Sequence, residues 1–141
     1  MRITGLSFGL LLFSCFAMAA EQTPLAAIAD LATALSENDP DGVLRYFDSQ
    51  MKDYGAIEAN VEALVAQADV SCAIDIVQDD ESNGVHKLDL DWFMELKSQG
   101  DNAQLERRRE RVQVEMREIK GKWKITALSP LSIFAPVQIP N

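Results

Sequence analysis

Residues 105–120 read LERRRERVQVEMREIK, and the fold class depends on whether this stretch forms a helix or a strand, since its pattern suits either. Its apolar residues fit a thin helical stripe, but its two valines and Met116 also form one face of a strand. Earlier in the chain, residues 86–98 alternate apolar and polar side chains, which predicts a half-buried strand. Antiparallel pairing with Lys97 opposite Leu105 matches both charges and apolar residues, so we interpret residues 105–120 as a strand.

This register makes two kinds of cross-strand pair, each worth about 0.2–1 kcal/mol to an antiparallel ladder. Opposite charges meet on one face of the sheet, and apolar side chains meet on the other. The pairs are Asp91 with Arg111, Glu95 with Arg107, Lys87 with Glu115, Leu88 with Val114, and Leu90 with Val112. The arginine run therefore predicts a salt-bridged, solvated face. A net charge of −9 likewise excludes a protein whose main work is binding nucleic acid.

A last strand follows a tight turn that the Lys-Gly pair at residues 120–121 predicts. The pairs implied by this turn are Met116 with Ile125 and Val114 with Ala127. Pro130 indicates an edge strand or a bulge near the end, because proline has no N–H for the ladder. We expect residues 131–134 to resume the strand pattern.

Upstream of the sheet the apolar period is about 3.6, which predicts three amphipathic helices. Thr23-Pro24 and Asp39-Pro40 each place a capping side chain before a proline, which is typical of a helix start. The expected elements are helices over residues 24–37, from residue 40 and over 56–68, then a strand over 70–76 and a turn at 79–84. The sequence thus predicts an α+β fold in which three N-terminal helices pack on a curved, four-stranded antiparallel meander.

Residues 1–20 have the pattern of an export signal: one cation, an apolar run and a small-residue Ala-Met-Ala site. Cleavage there leaves residues 21–141 as a single periplasmic or secreted domain, with no later segment able to span a membrane. A lipoprotein linkage at Cys15 is less favoured, because Phe13 is bulky where such sites carry a small residue. Cys72 then has no disulfide partner, and we expect a small buried hydrophobe rather than a nucleophile.

Two short motifs lie at the joins between predicted elements. NDPDGVL, residues 38–44, follows the first helix, and GKWKI, residues 121–125, opens the last strand. In this order they resemble the nuclear transport factor 2-like superfamily, whose cone-shaped fold is shared with ketosteroid isomerases and SnoaL-type polyketide cyclases. LDLDWFMELK and ERRRERVQVEM resemble exported bacterial members whose function is not established. The resemblance implies a pocket between sheet and helices but no particular chemistry, since the superfamily supports unrelated activities.

The candidates for lining that pocket are Tyr46, Tyr54, Trp92 and Trp123. Glu110 and Tyr54 are candidate acid–base residues, and an apolar neighbour such as Trp92 would raise the pKa of the Glu110 carboxyl. Isomerase members use a carboxylate base with a tyrosine and a protonated aspartate, and no set of residues here matches them. The long strands outreach the helices, so we expect Arg108 and Glu110 to be exposed.

These observations favour a binding or interaction module for a small apolar molecule or a protein partner. One alternative is an isomerase, dehydratase or hydrolase-type enzyme that uses Glu110 or Tyr54, and another is a dimerisation domain that uses the outer sheet face around Phe93. We expect no metal and no cofactor, because His86 is the only histidine and has no Cys/His partner at zinc spacing. An open cavity lined by Tyr46, Tyr54 and Trp92 would support the pocket, whereas a filled interior would count against it.

Overall fold

The computed structural model describes residues 22–137, and it has three helices followed by four strands. The predicted export signal with Cys15, and the last four residues, lie outside this range. The elements are α1 (Pro24–Ser36), α2 (Pro40–Leu44), α3 (Tyr54–Gln67), β1 (Ala68–Ser82), β2 (Val85–Ser98), β3 (Leu105–Ile119), β4 (Lys122–Ser129) and a 3-10 turn (Leu131–Phe134). The predicted α+β class and order of elements are confirmed. None of the helices within 22–137 is long and apolar enough to cross a membrane.

The first two helices begin at the capping residues that the sequence indicates. Thr23 Oγ1 accepts a hydrogen bond from the Ala26 amide at 3.1 Å, and Asp39 Oδ1 accepts one from the Gly42 amide at 3.0 Å. These side chains satisfy amides that the first turn of a helix leaves free. The third helix begins at Tyr54, two residues before the predicted start, and ends at Gln67.

Asn38, in the loop after α1, joins that helix to the start of β1. Its backbone is left-handed, with φ of 53°, a conformation that asparagine tolerates better than most residues. The Asn38 amide donates to the carbonyls of Val65 and Ala68 at 3.0 and 2.6 Å, and its oxygen accepts from the Val70 amide at 3.0 Å. The first residue of the NDPDGVL motif therefore fixes how α1 and α3 meet the sheet.

The four strands form one antiparallel sheet in the order β1-β2-β3-β4. The predicted register of β2 and β3 is confirmed along its whole length, with Lys97 opposite Leu105. Two ion pairs follow this register, Glu95 with Arg107 at 3.0 Å and Lys87 with Glu115 at 3.7 Å. The other two are diagonal, because Arg109 reaches Asp91 at 2.7 Å and Arg111 reaches Asp89 at 3.2 Å. The Arg109 hydrogen bond also holds the pKa of Asp91 below its ordinary value.

The turn between β1 and β2 is shorter than predicted. The acidic residues at 79–81 belong to β1, which continues to Ser82 instead of ending near Ile76. The chain reverses only at Asn83 and Gly84, whose φ values of 52° and 78° fit a two-residue hairpin turn. The same geometry recurs at Lys120 and Gly121, where the predicted turn is confirmed.

The pairing of β3 with β4 contains a bulge, in keeping with the edge strand or bulge that Pro130 indicates, and the bulge changes part of the predicted register. Met116 lies opposite Ile125 as predicted, but Val114 lies opposite Leu128 and not Ala127. The extra residue in β4 lets the chain bury Leu128 and leave Ala127 exposed. Burying a leucine removes more apolar surface from water than burying an alanine, which accounts for the shift.

Residues 131–134 form a 3-10 turn, so the prediction that they resume a strand is wrong. Pro130 has no N–H with which to continue the ladder, and the pairing of β3 with β4 ends at Gln113 opposite Ser129. The first half of β3 therefore lacks a strand on that side. Residues 131–137 cross its inner face instead, and Phe134 becomes fully buried there.

The core lies between the helices and the inner face of the sheet. The Phe134 ring meets Trp92 and Phe47 edge-on, with ring centroids 5.4 and 6.0 Å apart. Phe47 follows α2 and forms an isolated parallel β-bridge with Ile125. Residues 46–48 therefore cover the outer edge of β4. The backbone distances are 2.7 Å from the Ile125 amide to the Tyr46 carbonyl and 2.9 Å from the Asp48 amide to the Ile125 carbonyl.

Candidate functional site

The interior of the fold, where the pocket was predicted, is occupied by aromatic side chains. Trp92 and Phe134 are both fully buried. Of the three cavities described along residues 22–137, none is lined by Tyr54, Trp92 or Trp123. Tyr46 lines a shallow one of about 180 Å³ between α1 and α2. The structure therefore does not bring the four candidate ligand-binding residues together in one cavity.

The two tyrosines lie at the helical side of the core. The Tyr46 hydroxyl donates to Asp30 Oδ2 at 3.4 Å, and burial followed by the Asp30 charge raises the pKa of the phenol. Tyr54 is the first residue of α3, and burial together with the Glu58 charge raises its pKa as well. Both phenols stay protonated at neutral pH, so each can donate a hydrogen bond but neither serves as a base there.

Trp123 and Glu110, the other candidates, lie on different parts of the sheet. The Trp123 ring packs edge-on against His86, with centroids 4.9 Å apart, near the β1–β2 turn. Glu110 lies opposite Trp92, as the register predicts, and it is exposed. Its carboxylate accepts a hydrogen bond from the Ser132 hydroxyl at 3.4 Å. A catalytic role for Glu110 remains a prediction from the sequence.

Arg108 is not exposed, contrary to the expectation from strand length. Its side chain is only 12% accessible, because residues 131–137 cover it. The guanidinium donates to the carbonyls of Ile133 and Pro136 at 3.0 and 3.1 Å and to Glu106 at 3.0 Å. Arg108 thus holds the C-terminal segment on the sheet and keeps Phe134 in the core. Pro130 is the sequence signal that could have indicated a crossing segment.

A groove of about 550 Å³ crosses the opposite, outer face of the sheet. We define this outer face as the side chains of β2 and β3 that alternate with the buried ones, such as Lys87 and Asp89 beside Leu88. Residues 51–53, beside the edge of β4, form part of the groove wall. Ala127 and Ser129 contribute only small side chains, which leaves room between β3 and this wall. The sequence gives no signal of this groove, because residues 51–53 reach the sheet from a distant part of the chain.

No protein-family model and no curated protein sequence matches the chain, but solved structures do. One is described as an NTF-2 like protein of unknown function from Shewanella oneidensis. It is 13% identical, with a TM-score of 0.52 over 74% of this chain and 92% of its own. Another is Aln2 from a Streptomyces species, which is 15% identical with a TM-score of 0.60 over 74% of this chain and 83% of its own.

The chain has the nuclear transport factor 2-like fold. A conserved protein from Planctomyces limnophilus is also similar in structure, with 7% identity and a TM-score of 0.64 over 72% of this chain and 87% of its own. Identities this low establish the fold alone, because the nuclear transport factor 2-like scaffold carries different functions in different proteins. The resemblance predicted from the two short motifs is confirmed at the level of the fold.

Metal ligation has no support in the described part of the chain, where no three His, Cys, Asp or Glu side chains group closely enough to hold an ion. Cys72 lies at the inner side of β1, and burial raises the pKa of its thiol to about 12. The buried indole N–H of Trp92 has no partner of good geometry within residues 22–137. Its nearness to the Cys72 sulfur lowers that pKa by less than burial raises it.

We expect Cys72 to be inert in the folded protein at pH 8, because the thiolate is the reactive form. The raised pKa means that the folded chain keeps the thiol proton more firmly than the unfolded chain. This stabilisation is complete below about pH 9 and is lost as the pH rises towards 12. Iodoacetamide labelling, read by mass spectrometry on the Cys72 peptide, checks this. Labelling should be slow in buffer and fast in urea, and equal rates would contradict the assignment.

Proposed function

We propose that this chain is a binding module that acts through the outer face of its sheet, and that its interior has a structural role. The observation that carries this proposal is the occupied interior. Phe134 stands between Trp92 and Phe47 where a ligand would otherwise sit, and Arg108 holds its segment in place. An acid–base mechanism inside the cone would need a carboxylate or phenol directed into free space there. Glu110 and Tyr54 line none of the three cavities described in residues 22–137.

The outer face carries a small positive excess although the chain is acidic, because Lys97 and Arg117 add to the charges that its ion pairs balance. Its four ion pairs contain equal numbers of positive and negative groups: Lys87 with Glu115, Arg107 with Glu95, Arg109 with Asp91, and Arg111 with Asp89. The whole chain has a net charge of −9. Two copies approaching through this face therefore meet less charge repulsion than through the rest of the surface.

An apolar residue lies within this charged surface. Phe93 is half-buried on the outer face, between Ala73 of β1 and Arg109 of β3. Leu105, near the end of the same face, is 52% exposed. Aromatic residues surrounded by charged neighbours are common at the centre of interfaces. We assign a second copy of the chain as the first partner of this face, in a symmetric dimer centred near Phe93.

Phe93→Glu is expected to raise the dissociation constant of the dimer at least about tenfold, because it places a charge in the apolar centre of the interface. Sedimentation equilibrium over a range of protein concentrations measures this. Leu25→Glu is the matched control, since Leu25 is 50% exposed on α1, away from the sheet. A wild-type chain that stays monomeric, or a Leu25→Glu variant that dissociates equally, would overturn the proposed dimer.

Export through residues 1–20 is part of the proposal, and it rests on the sequence pattern. Native mass spectrometry of the protein from its own host tests export and binding together. A measured mass that equals that of a chain beginning at residue 20 or 21 supports cleavage after Ala19 or Ala20. A retained small molecule that survives in Phe93→Glu would indicate a ligand site in place of a dimer interface.

A further inference from the structure

The two edge strands of the sheet differ in how much of their backbone the rest of the described chain covers. The edge of β4 is covered near Ile125 by residues 46–48. Within residues 22–137 the edge of β1 is covered only at its beginning, where Asn38 and Ser36 accept hydrogen bonds from the amides of Val70 and Cys72, each at 3.0 Å. An uncovered strand edge presents a row of free backbone groups to any extended chain that approaches.

The open part of this edge begins at Ile74. The amides of Val70 and Cys72 point away from β2, and backbone direction alternates along a strand, so those of Ile74 and Ile76 point away as well. Among residues 22–137 no group accepts a hydrogen bond from either amide. The open segment is residues 74–82, which spans about 30 Å at about 3.3 Å per residue and contains a bulge between Ile76 and Gln78. We call this segment the β1 edge.

The β1 edge is strongly acidic. The strand β1 contains five carboxylates and no lysine or arginine: Asp69, Asp75, Asp79, Asp80 and Glu81. Within the described chain, no lysine or arginine forms an ion pair with any of them. His86 alone contacts two, Asp79 at 2.8 Å and Glu81 at 3.9 Å. This run of carboxylates contrasts with the small positive excess on the outer face of β2 and β3.

This charge selects between possible occupants of the edge. A second copy pairing β1 with β1 would bring two acidic strands together, and like charges on adjacent strands are destabilising. A basic segment gains attraction from the same carboxylates. The carboxylates lie on both sides of the sheet, because Asp80 is on the outer face and Asp79 and Glu81 are on the inner one. Cationic side chains of an added strand therefore meet carboxylates on either face.

We propose that the β1 edge binds an extended, lysine- or arginine-rich segment of another protein, which adds to the sheet as a fifth strand. Main-chain hydrogen bonds to Ile74 and Ile76 give the contact its geometry, and the carboxylates give it selectivity. The inference uses the backbone edge of β1 and not the Phe93 region of β2 and β3 proposed for the dimer, although Asp75 and Asp80 share the outer side of the sheet with that region. An acidic edge also protects the chain against pairing with itself, which is compatible with a basic partner.

The probe is an octapeptide of alternating arginine and valine with blocked ends and a fluorescent label. The full chain is titrated into it, and binding is followed by the fluorescence anisotropy of the label. Asp75→Lys/Asp80→Lys is expected to weaken binding at least about tenfold. Asp41→Lys/Glu62→Lys is the matched control, since both residues are exposed on helices and the change in net charge is the same. We expect this control to change binding less than about threefold. Equal weakening by the two double variants would overturn the proposal.

A second peptide separates strand addition from simple charge attraction. N-methylation of alternate residues keeps the charge but removes the donors on one edge of the peptide, so we expect at least about tenfold weaker binding. Amide hydrogen exchange gives the position, because exchange at Ile74 and Ile76 should slow when the unmethylated peptide is added. Unchanged binding of the methylated peptide, or slow exchange at these amides before any peptide is present, would overturn the proposal.

Discussion

Replacing Phe134 with alanine is expected to lower the free energy of unfolding by about 3–5 kcal/mol. The ring is fully buried and meets Trp92 and Phe47 edge-on, so its removal loses apolar burial and leaves a cavity. Neither neighbour can fill this space, because Trp92 is fixed in β2 and Phe47 is held by its bridge to Ile125. Urea denaturation followed by circular dichroism measures the change.

Leu25→Ala provides the control for Phe134→Ala. Leu25 is apolar but 50% exposed on α1, so its truncation should cost less than about 1 kcal/mol. The new cavity also supplies a positive test, because an apolar cavity of this kind stays dry and binds small aromatic molecules. Benzene should raise the melting temperature of Phe134→Ala and leave the wild type unchanged. A small loss of stability without benzene binding would show that Phe134 does not fill the interior.

The sheet was predictable where its pairing is local in the sequence. The β2–β3 register follows from charges and apolar residues that repeat every two positions, so a single alignment satisfies both faces of the hairpin. The turn at residues 120–121 has its own residue signal. The bulge in β4 has only the general signal of Pro130, and its position arises from a competition between Leu128 and Ala127 for the core. Only the position of the helices decides that competition.

The candidate site was less predictable, because it depends on contacts between distant parts of the chain. In the sequence Arg108 belongs to a run of arginines that is expected to be exposed. In the structure residues 131–137 cover it. Trp92 looks available for a ligand until Phe134 reaches it from 42 positions later in the sequence. The open β1 edge was not predicted, because the run of acidic residues is typical of a turn. In the structure these residues continue the strand to Ser82. Pairing with β2 overrides the weak strand preference of these residues.

The second large effect is expected at Arg108. Arg108→Gln should lower the free energy of unfolding by about 2–4 kcal/mol, because it leaves the carbonyls of Ile133 and Pro136 without their donor and Glu106 without its countercharge. The loss should be local first, since the guanidinium makes two of the three hydrogen bonds described between residues 131–137 and β3. Urea denaturation gives the total change, and amide hydrogen exchange shows whether residues 131–137 open before the sheet.

Arg107→Gln is the control that separates this role from charge alone. Arg107 is the preceding residue of the same strand, carries the same charge and has an ion partner in Glu95, but its side chain is 67% exposed. Exposed ion pairs contribute about 0–1 kcal/mol, so Arg107→Gln should have a small effect and leave exchange in residues 131–137 unchanged. If the two variants lose the same stability, Arg108 acts only as one more surface charge. If Arg108→Gln alone speeds exchange there, burial beneath the C-terminal segment is what distinguishes two adjacent arginines.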